Sequence, residues 1–340
     1  MDTYVRKRRV LLLVHEDLVP PAPERIEQMS DDDVAPFKTE YHVETELRAL
    51  GHDVRVLGLY DELRPLRAAI EEFRPHVAFN LLEEFREETA YDYYIVNYLE
   101  LHHTPFTGCS APGLFLARDK ALSKKILAYH RIRAPKFFVV PRGRKPRRPN
   151  RLSFPLIVKC QTEEASLGIS QASVVEDDAQ LAERVAYVHD ELKASAIVEE
   201  FVPGRELYLG IVGNQRLTPF PVWELRIEKR QPGERMVATE QVKWDLDYQR
   251  ERGVEHGPAE LDEETAARIQ RVGKQIYRRL GLSGYARIDF RLHDDGRLFF
   301  LEANPNPEIS ADEEFATAAD AAGLPYPDLL EKILRLGINR

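Results

Sequence analysis

The chain has 340 residues, of which 31% are charged and 43% are hydrophobic, and its formal net charge is -9 at pH 7. This length suits two or three packed units, and the acidic balance argues against a general nucleic-acid-binding role. No apolar run approaches the ~18 residues that span a bilayer or resembles a signal sequence, and two cysteines in separate segments suit a reduced, cytoplasmic protein.

The first 107 residues alternate between strand and helix patterns. An apolar run at 10–14 is typical of a parallel strand buried on both faces, and 38–50 has the apolar spacing of a helix that ends at Gly51. The same reasoning predicts strands at 53–57, 76–82 and 104–107, a helix ending at Phe73 and a helix at 91–101. This alternation predicts a doubly wound parallel α/β unit, whose ligands bind at the carboxyl ends of the strands.

The remaining chain mixes helices and strands without a regular alternation. Helices are predicted at 111–130, 176–192, 263–280, 312–322 and 328–336. Strands are predicted at 135–140, 154–159, 196–201 and 207–212. The basic, proline-rich stretch 142–151 is interpreted as a solvated loop rather than a phosphate-binding patch.

The strongest local signal is a β-hairpin near the end of the chain. Two runs, 287–292 and 297–304, alternate between apolar and polar residues with period 2. They flank Asp295-Gly296, and Asp-Gly between two such runs is a strong hairpin signal. With these two residues as the loop, directly opposed side chains of the two strands share one face of the sheet.

One face of this predicted hairpin collects oxygen ligands. Asp289 lies opposite Glu302, and Arg287 lies opposite Asn304. Two carboxylates and an amide oxygen suit Mg²⁺, which completes its octahedral shell with substrate phosphates. The plain alternative is a solvent-facing hairpin with charged cross-strand pairs. Because Asp289 and Glu302 are like charges set opposite each other, the metal site is favoured.

The pattern R-x-D-F, a hairpin and then L-E-x-N-x-x-P resembles the metal-binding end of ATP-grasp enzymes, in particular the D-alanine–D-alanine ligase branch. The resemblance implies an ATP-grasp fold: an N-terminal doubly wound parallel α/β domain at 1–107, a small central α+β domain at 108–196, and a C-terminal α+β catalytic domain at 197–340. It also implies ATP, and Mg²⁺ with Mn²⁺ as an alternative.

The resemblance further implies a set of nucleotide-binding residues. Lys120 in a D-K segment and Lys159 at the end of a P-x-x-x-K strand match two lysines that hold phosphates. The stretch 163–170 corresponds to a glycine-rich flap, in which only Gly168 remains of the glycines and Ser166 is an additional donor. Contacts with the base and ribose are expected from Glu199, Glu200, Phe201, Val202 and Glu206. The alternatives are exposed lysines, a hairpin tip and an ordinary β-turn.

Two further positions are matched to the chemical step. Lys243 matches a lysine that approaches the γ-phosphate, and Trp244 replaces a tyrosine that helps to lock the dipeptide ligase site. Arg287, next to the metal site, is placed to stabilise an oxyanion. Its alternative role is to pair with Asp289 or Glu302.

The substrate positions depart from the resembling enzymes. A glycine-rich loop is replaced by His15-Glu16, a His-Gly pair by Glu83-Glu84, and a carboxylate-binding serine aligns roughly with Glu313. Anionic groups there would repel a carboxylate and attract an amine. The alternative is that these glutamates pair with arginines such as Arg86 and Arg118. The predicted substrate residues are His15, Glu16, Glu83, Glu84, Trp244, Glu308 and Ser310.

These features predict an ATP-dependent carboxylate–amine ligase that forms an amide through an acyl phosphate, with a positively charged substrate other than D-alanine. The alternatives are an ATP-grasp kinase or thioester-forming enzyme, and a non-enzymatic nucleotide-binding module. Small-molecule substrates are expected, with neither nucleic acid nor membrane as a partner. The tyrosine-rich stretch 91–98 is interpreted as either a homodimer interface or part of the core.

Overall fold

The computed structural model describes residues 7–26, 28–162, 168–230 and 233–340. The strands in these ranges form three sheets, which follow one another along the chain. Short 3₁₀ turns occur at Glu16–Leu18, Ala35–Phe37, Thr89–Tyr91 and Gln171–Ser173. Within the same ranges, no helix combines the length and the apolar character that crossing a membrane requires.

The N-terminal sheet is parallel, as the sequence predicts. Its strands are β1 (Arg9–His15), β2 (Asp53–Leu59) and β3 (Val77–Asn80), in the order β2-β1-β3. Five helices accompany it: α1 (Pro23–Ile26), α2 (Asp31–Val34), α3 (Lys38–Ala49), α4 (Arg64–Phe73) and α5 (Asp92–Leu101). Leu11 and Leu13 of β1 belong to one core cluster, while Val10, Leu12 and Val14 belong to another. Burial of both faces therefore explains the continuous apolar run.

The predicted fourth strand at 104–107 is wrong. Among the described residues, Phe106 forms a single parallel bridge with Ala78, and the bridge does not extend into a ladder of several residue pairs. Pro105 has no N–H to donate, and the Thr107 hydroxyl accepts the N–H of Asn80 at 3.0 Å. A side chain thus takes the place of the next ladder hydrogen bond.

The central sheet is antiparallel and small. It consists of β4 (Phe137–Val140), β5 (Leu156–Cys160), β6 (Val174–Val175) and β7 (Ala196–Glu200), in the order β4-β7-β5-β6. Helix α8 (Asp178–Asp190) packs on it. The stretch 111–130 is helical as predicted, but a break divides it into two helices, α6 (Ala111–Arg118) and α7 (Lys120–Tyr129). Asp119 breaks it because its carboxylate caps α7, accepting the N–H groups of Ala121 and Leu122 at 2.9 Å.

The C-terminal sheet carries the predicted hairpin. Its strands are β8 (Arg205–Val212), β9 (Thr218–Pro219), β10 (Trp223–Ile227), β11 (Val254–Pro258), β12 (Tyr285–Leu292) and β13 (Leu298–Asn304). Their order is β11-β10-β8-β12-β13, with β9 paired to β8. The helices of this part are α9 (Glu240–Trp244), α10 (Leu246–Arg252), α11 (Glu263–Arg279), α12 (Glu314–Ala321) and α13 (Tyr326–Ile338).

The two-residue hairpin loop is also wrong, although the pairs at the base of the hairpin are right. His293 N donates to Arg297 O at 2.9 Å, so three residues form the tip, and Phe290 pairs with Phe300. The register then shifts by one residue, which leaves Leu301 as a β-bulge. Beyond the bulge, Asp289 pairs with Glu302 as predicted.

Candidate active site

The base of the hairpin presents a polar, buried face. Arg287, Asp289 and Arg291 are all nearly inaccessible to solvent. The Arg287 guanidinium grips the Asp289 carboxylate with two hydrogen bonds, at 2.8 and 3.0 Å, and donates a third to Glu314 at 2.9 Å. The predicted alternative pairing of Arg287 with Asp289 is therefore present. A guanidinium has five N–H donors, so three hydrogen bonds to carboxylates leave two for a ligand.

The charges of four lysines act on the second carboxylate of this face, Glu302. The ammonium of Lys120, in the first turn of α7, lies 3.3 Å from the Glu302 carboxylate. Burial alone would raise the pKa of Glu302, but Lys120, Lys159, Lys243 and Lys124 hold it well below its usual range. Three of these lysines were matched separately from the sequence, and the charges of all three act on one carboxylate. Such a cluster of cations is suited to a polyphosphate.

Lys124 was not among the lysines matched from the sequence. Its side chain is fully buried, its ammonium lies 2.8 Å from the Glu199 carboxylate, and it donates to the carbonyl of the bulge residue Leu301. Lys159 contacts the other oxygen of Glu199 at 3.4 Å. The available signal was its position four residues after Lys120, on the same face of one helix. Lys124 therefore connects the central sheet to the strand that carries Glu302.

The residues expected to hold the base and ribose are close in sequence but differently engaged. Glu199 is occupied by the two lysines, and Glu200 contacts Lys136 at 3.3 Å. The Glu206 carboxylate accepts a hydrogen bond from Arg291 at 2.7 Å and one from the Tyr208 hydroxyl at 3.2 Å. Phe201 lines a cavity of about 680 Å³, together with the β10 edge. Val202, one residue further, is half-buried.

The end of the predicted flap is tied to helix α9. The N–H of Gly168 donates to the Glu240 carboxylate at 2.9 Å, and the N–H of Glu240 donates to the Ile169 carbonyl at 2.9 Å. The predicted donor Ser166 lies outside the described residues. Helix α9 carries Lys243, so the flap end and this lysine are linked through one short helix.

Five of the seven predicted substrate residues line one cavity of about 490 Å³, at the carboxyl ends of the N-terminal strands: His15, Glu83, Glu84, Trp244 and Glu308. Glu84 lies 3.3 Å from the His15 ring. Arg118, an alternative partner for these glutamates, forms an ion pair with Asp92 at 2.5 Å.

Glu16 and Ser310 do not line this cavity. Glu16 is exposed because the chain turns into a 3₁₀ turn directly after β1. Ser310 is fully buried, and its hydroxyl donates to Glu308 at 3.0 Å. Ser310 thus supports a cavity residue rather than facing the cavity itself.

A group of carboxylates extends from this cavity, and one of them, Glu40, was not singled out from the sequence. Glu40, in the first turn of α3, also lines the cavity and is only 5% exposed. Burial raises the pKa of Glu40 to about 7, and the charge of Glu308 adds to this effect. Burial, with the charges of Glu308 and Glu314, raises the pKa of Glu313 to about 8. The ammonium of Lys38 also approaches this group, but it is paired with the carboxylate of Asp312 at 2.5 Å.

The raised pKa of Glu40 predicts a pH-dependent stability. A carboxyl whose pKa is higher in the folded protein holds its proton there while the unfolded chain has lost it, so stability falls as pH rises from about 5 to about 8. Over this pH range the free energy of unfolding should fall for both proteins. We expect the fall to be about 2 kcal/mol smaller for Glu40→Gln than for the parent. Urea unfolding at a series of pH values measures the difference. Glu44→Gln, on the same helix, serves as the control, and superimposable profiles for Glu40→Gln and parent would contradict the assignment.

The polar face of the hairpin fits a divalent metal ion. Asp289 and Glu302 are directly opposed, and Asn304 follows two residues later on the same face. Among the described residues, no group of three or more His, Cys, Asp and Glu side chains could hold a metal ion. Two carboxylates and one amide instead suit Mg²⁺, which takes few protein ligands and completes its shell with phosphates and water.

The chain is similar to known ligases. Residues 126–335 match the family described as D-ala D-ala ligase C-terminus. A D-alanine–D-alanine ligase of Nitratidesulfovibrio vulgaris (strain DP4) is 33% identical over 299 residues, which cover 87% of this chain and 91% of the relative. The uncharacterized protein y4sG of Sinorhizobium fredii is 29% identical over 264 residues, covering 78% and 75%.

Solved structures share the fold. The crystal structure of a D-alanine–D-alanine ligase from Bacillus anthracis complexed with ATP aligns with a TM-score of 0.73, over 98% of each chain. The sequence identity in this alignment is 20%. A second structure of the Bacillus anthracis ligase aligns with a TM-score of 0.72. At this level of identity the likeness concerns the fold.

Proposed function

The chain belongs to the D-alanine–D-alanine ligase family and has the ATP-grasp fold, and from that premise we propose that it is an ATP-dependent ligase joining a carboxylate to an amine. The observation that carries this proposal is the contact of Lys120 with Glu302 at 3.3 Å, directly opposite Asp289, where the charges of Lys159 and Lys243 also act. These residues come from separate parts of the chain. Their convergence is the arrangement that phosphoryl transfer needs, since that chemistry depends on positioning and charge neutralisation.

In the first proposed step the lysines hold the phosphates of ATP. A substrate carboxylate oxygen attacks the γ-phosphorus, the bond to the bridging oxygen breaks, and ADP leaves with that electron pair to give an acyl phosphate. Mg²⁺, or Mn²⁺ as an alternative, would be held by Asp289, Glu302 and Asn304 and would supply positive charge to the phosphate oxygens. The base and ribose would lie beside residues 199–202 and Glu206.

In the second proposed step a neutral amine attacks the acyl carbon. The carbonyl oxygen becomes a tetrahedral oxyanion, phosphate leaves with the carbon–oxygen electron pair, and the nitrogen loses a proton. Arg287 is placed to stabilise the oxyanion, because Asp289 and Glu314 hold its guanidinium rigidly and two N–H groups remain for a ligand. Its orientation therefore needs no rearrangement at the moment of reaction.

We propose that the substrates differ from D-alanine and that one of them carries positive charge. The cavity beside the N-terminal strands contains Glu83, Glu84 and Glu308, which would repel the free carboxylate of an amino-acid acceptor. A Glu83→Gln, Glu84→Gln double variant is expected to lose activity while remaining folded. The proposal would be contradicted if the parent acted efficiently on D-alanine as its sole substrate and the double variant lost this activity only because it unfolds.

Phosphate release from Mg²⁺-ATP tests the reaction class. Pools of carboxylic acids, amino acids, dipeptides and amines are supplied singly and in pairs, with Glu302→Ala as the control. We expect release that requires two pools and is absent in the control. Release with a single pool would instead support a kinase or a thioester-forming enzyme lacking its acceptor. ATP binding without release from any pool would support a non-enzymatic nucleotide-binding module.

A further inference from the structure

The 490 Å³ cavity is strongly acidic. The described residues that line it include five carboxylates, Asp17, Glu40, Glu83, Glu84 and Glu308, and neither lysine nor arginine. The imidazole of His15 is the one side chain there that could carry positive charge, and it lies 3.3 Å from Glu84. A ligand with a free carboxylate would therefore find no positive partner on these walls except at that ring.

Two of these carboxylates, the buried Glu40 and the half-buried Glu308, form no ion pair within the described part of the chain. The Glu40 carboxylate has no hydrogen bond to another described residue, although it is only 5% exposed. Glu308 accepts hydrogen bonds from the hydroxyls of Thr39 at 3.2 Å and Ser310 at 3.0 Å, and the more distant charge of Lys38 acts on it. Carboxylates with little exposure are ordinarily paired with a positive group. These two face one cavity, and neither is in contact with such a group.

Asn306, another residue of the cavity lining, also has a polar atom without a partner. Its side-chain oxygen Oδ1 is buried and accepts no hydrogen bond from any described residue. An amide oxygen is an acceptor of N–H groups. The two basic side chains of α3 nearest to Glu40 in sequence are engaged elsewhere, since Lys38 pairs with Asp312 and His42 accepts the N–H of Ala311 at 3.2 Å.

We propose that this cavity binds a cationic nitrogen of the substrate, an alkylammonium or guanidinium group, between Glu40 and Glu308. Leu18, Ala35, Leu81 and Pro307 also line the cavity and suit a hydrocarbon chain attached to that nitrogen. The simplest ligand of this chemistry is an alkyl diamine, with one nitrogen held here and the other free to react. That the ligand is a substrate rests on the proposed function, whereas its binding does not.

The carboxylates are electrostatically prepared for such a ligand. Burial raises the pKa values of Glu40, Glu308 and Glu313, and their mutual repulsion adds to it. The charge of Glu314 also raises the pKa values of Glu308 and Glu313, whereas that of Lys38 lowers them. A bound cation favours the ionised form of each carboxylate, so binding is expected to release protons near neutral pH.

Calorimetric titration of the full chain tests the site directly. The probes are 1,5-diaminopentane, pentan-1-ol as the match without a cationic nitrogen, and L-lysine as the match that adds a carboxylate. Each is titrated without nucleotide and again with Mg²⁺ and a non-hydrolysable ATP analogue. We expect the diamine to bind at least about tenfold more tightly than pentan-1-ol, because only the diamine brings a cationic nitrogen to Glu40 and Glu308. Stronger binding of L-lysine than of the diamine would place the cationic nitrogen on an amino-acid substrate instead.

Isosteric variants locate the binding. Glu40→Gln and Glu308→Gln are each expected to abolish the preference for the diamine, whereas Glu44→Gln, on α3 but away from the cavity, keeps it. Glutamine removes a buried carboxylate with a raised pKa, so Glu40→Gln is expected to unfold at no lower temperature than the parent. Equal binding of diamine and pentan-1-ol in both titrations, or a preference that survives Glu40→Gln, overturns the inference. Diamine binding with no phosphate release from any pool would overturn the proposed ligase and leave the cation site standing.

Discussion

Replacing Glu302 by glutamine is expected to lower kcat for phosphate release on the order of a thousandfold while leaving metal-free binding of ATP intact or tighter. The carboxylate lies opposite Asp289 and 3.3 Å from the ammonium of Lys120. It therefore both completes the proposed metal site and neutralises the lysines that surround it. Glutamine keeps the shape but removes the charge, which frees those lysines for the phosphates of ATP.

The measurement separates the two effects. Phosphate release is followed against Mg²⁺ concentration with the activating pair of substrates, and ATP binding is titrated calorimetrically in EDTA. Asp295→Asn, the same change at the tip of the hairpin, is the matched control because Asp295 contacts only His293 and Arg297 at the surface. If Glu302→Gln retained more than about a tenth of the parent kcat, the metal role would be untenable.

Replacing Lys124 by methionine is expected to lower the free energy of unfolding by about 3 kcal/mol, because it leaves Glu199 buried with only the more distant Lys159 as its partner. Burial lowers the pKa of Lys124 and Glu199 opposes this, so each charge depends on the other. The change also removes the donor to the carbonyl of Leu301, next to Glu302. Metal affinity should therefore fall together with stability.

A double variant distinguishes the two consequences. Lys124→Met with Glu199→Met replaces the ion pair by apolar side chains and is expected to recover most of the lost stability. It should not restore the parent's affinity for Mg²⁺. We expect the Mg²⁺ concentration that gives half-maximal phosphate release to stay about tenfold above that of the parent. Lys125→Met, the exposed neighbour, serves as the control. Full recovery of the Mg²⁺ response in the double variant would show that Lys124 acts on stability alone.

The hairpin shows how far local pattern reaches. Alternation and the Asp-Gly pair predict the strands and place Asp289 opposite Glu302, as the structure has them. The predicted loop was one residue too short, and the bulge at Leu301 restores the register at the base. The carbonyl of the bulge residue accepts a hydrogen bond from Lys124, on a helix far away in the chain. Such tertiary contacts leave no trace in the alternation of a strand.

In the cavity, the sequence pattern predicts some of the lining residues and misses others. His15, Glu83 and Glu84 were predictable because they follow buried parallel strands, whose carboxyl ends share one edge of the sheet. Glu40 lies on a helix whose apolar spacing explains only its buried face, and a glutamate in a first turn is ordinarily a favourable partner of the helix dipole. Its burial against Glu308 follows from the packing of α3 on the segment after β13. Packing between distant segments therefore decides which carboxylate lines the cavity.

The bulge at Leu301 also divides the hairpin into two stretches whose registers differ by one residue. Between the tip and the bulge, the buried pair Phe290 and Phe300 fixes which side chains face inward. Beyond the bulge, a separate phase fixes Glu302 against Asp289. We therefore expect an insertion or deletion at the tip to alter the pairing between the tip and the bulge and to leave Glu302 opposite Asp289. The tip at Gly296, where an added Cβ would meet open space, is consequently the part of the hairpin at which we expect an inserted reporter peptide to affect activity least.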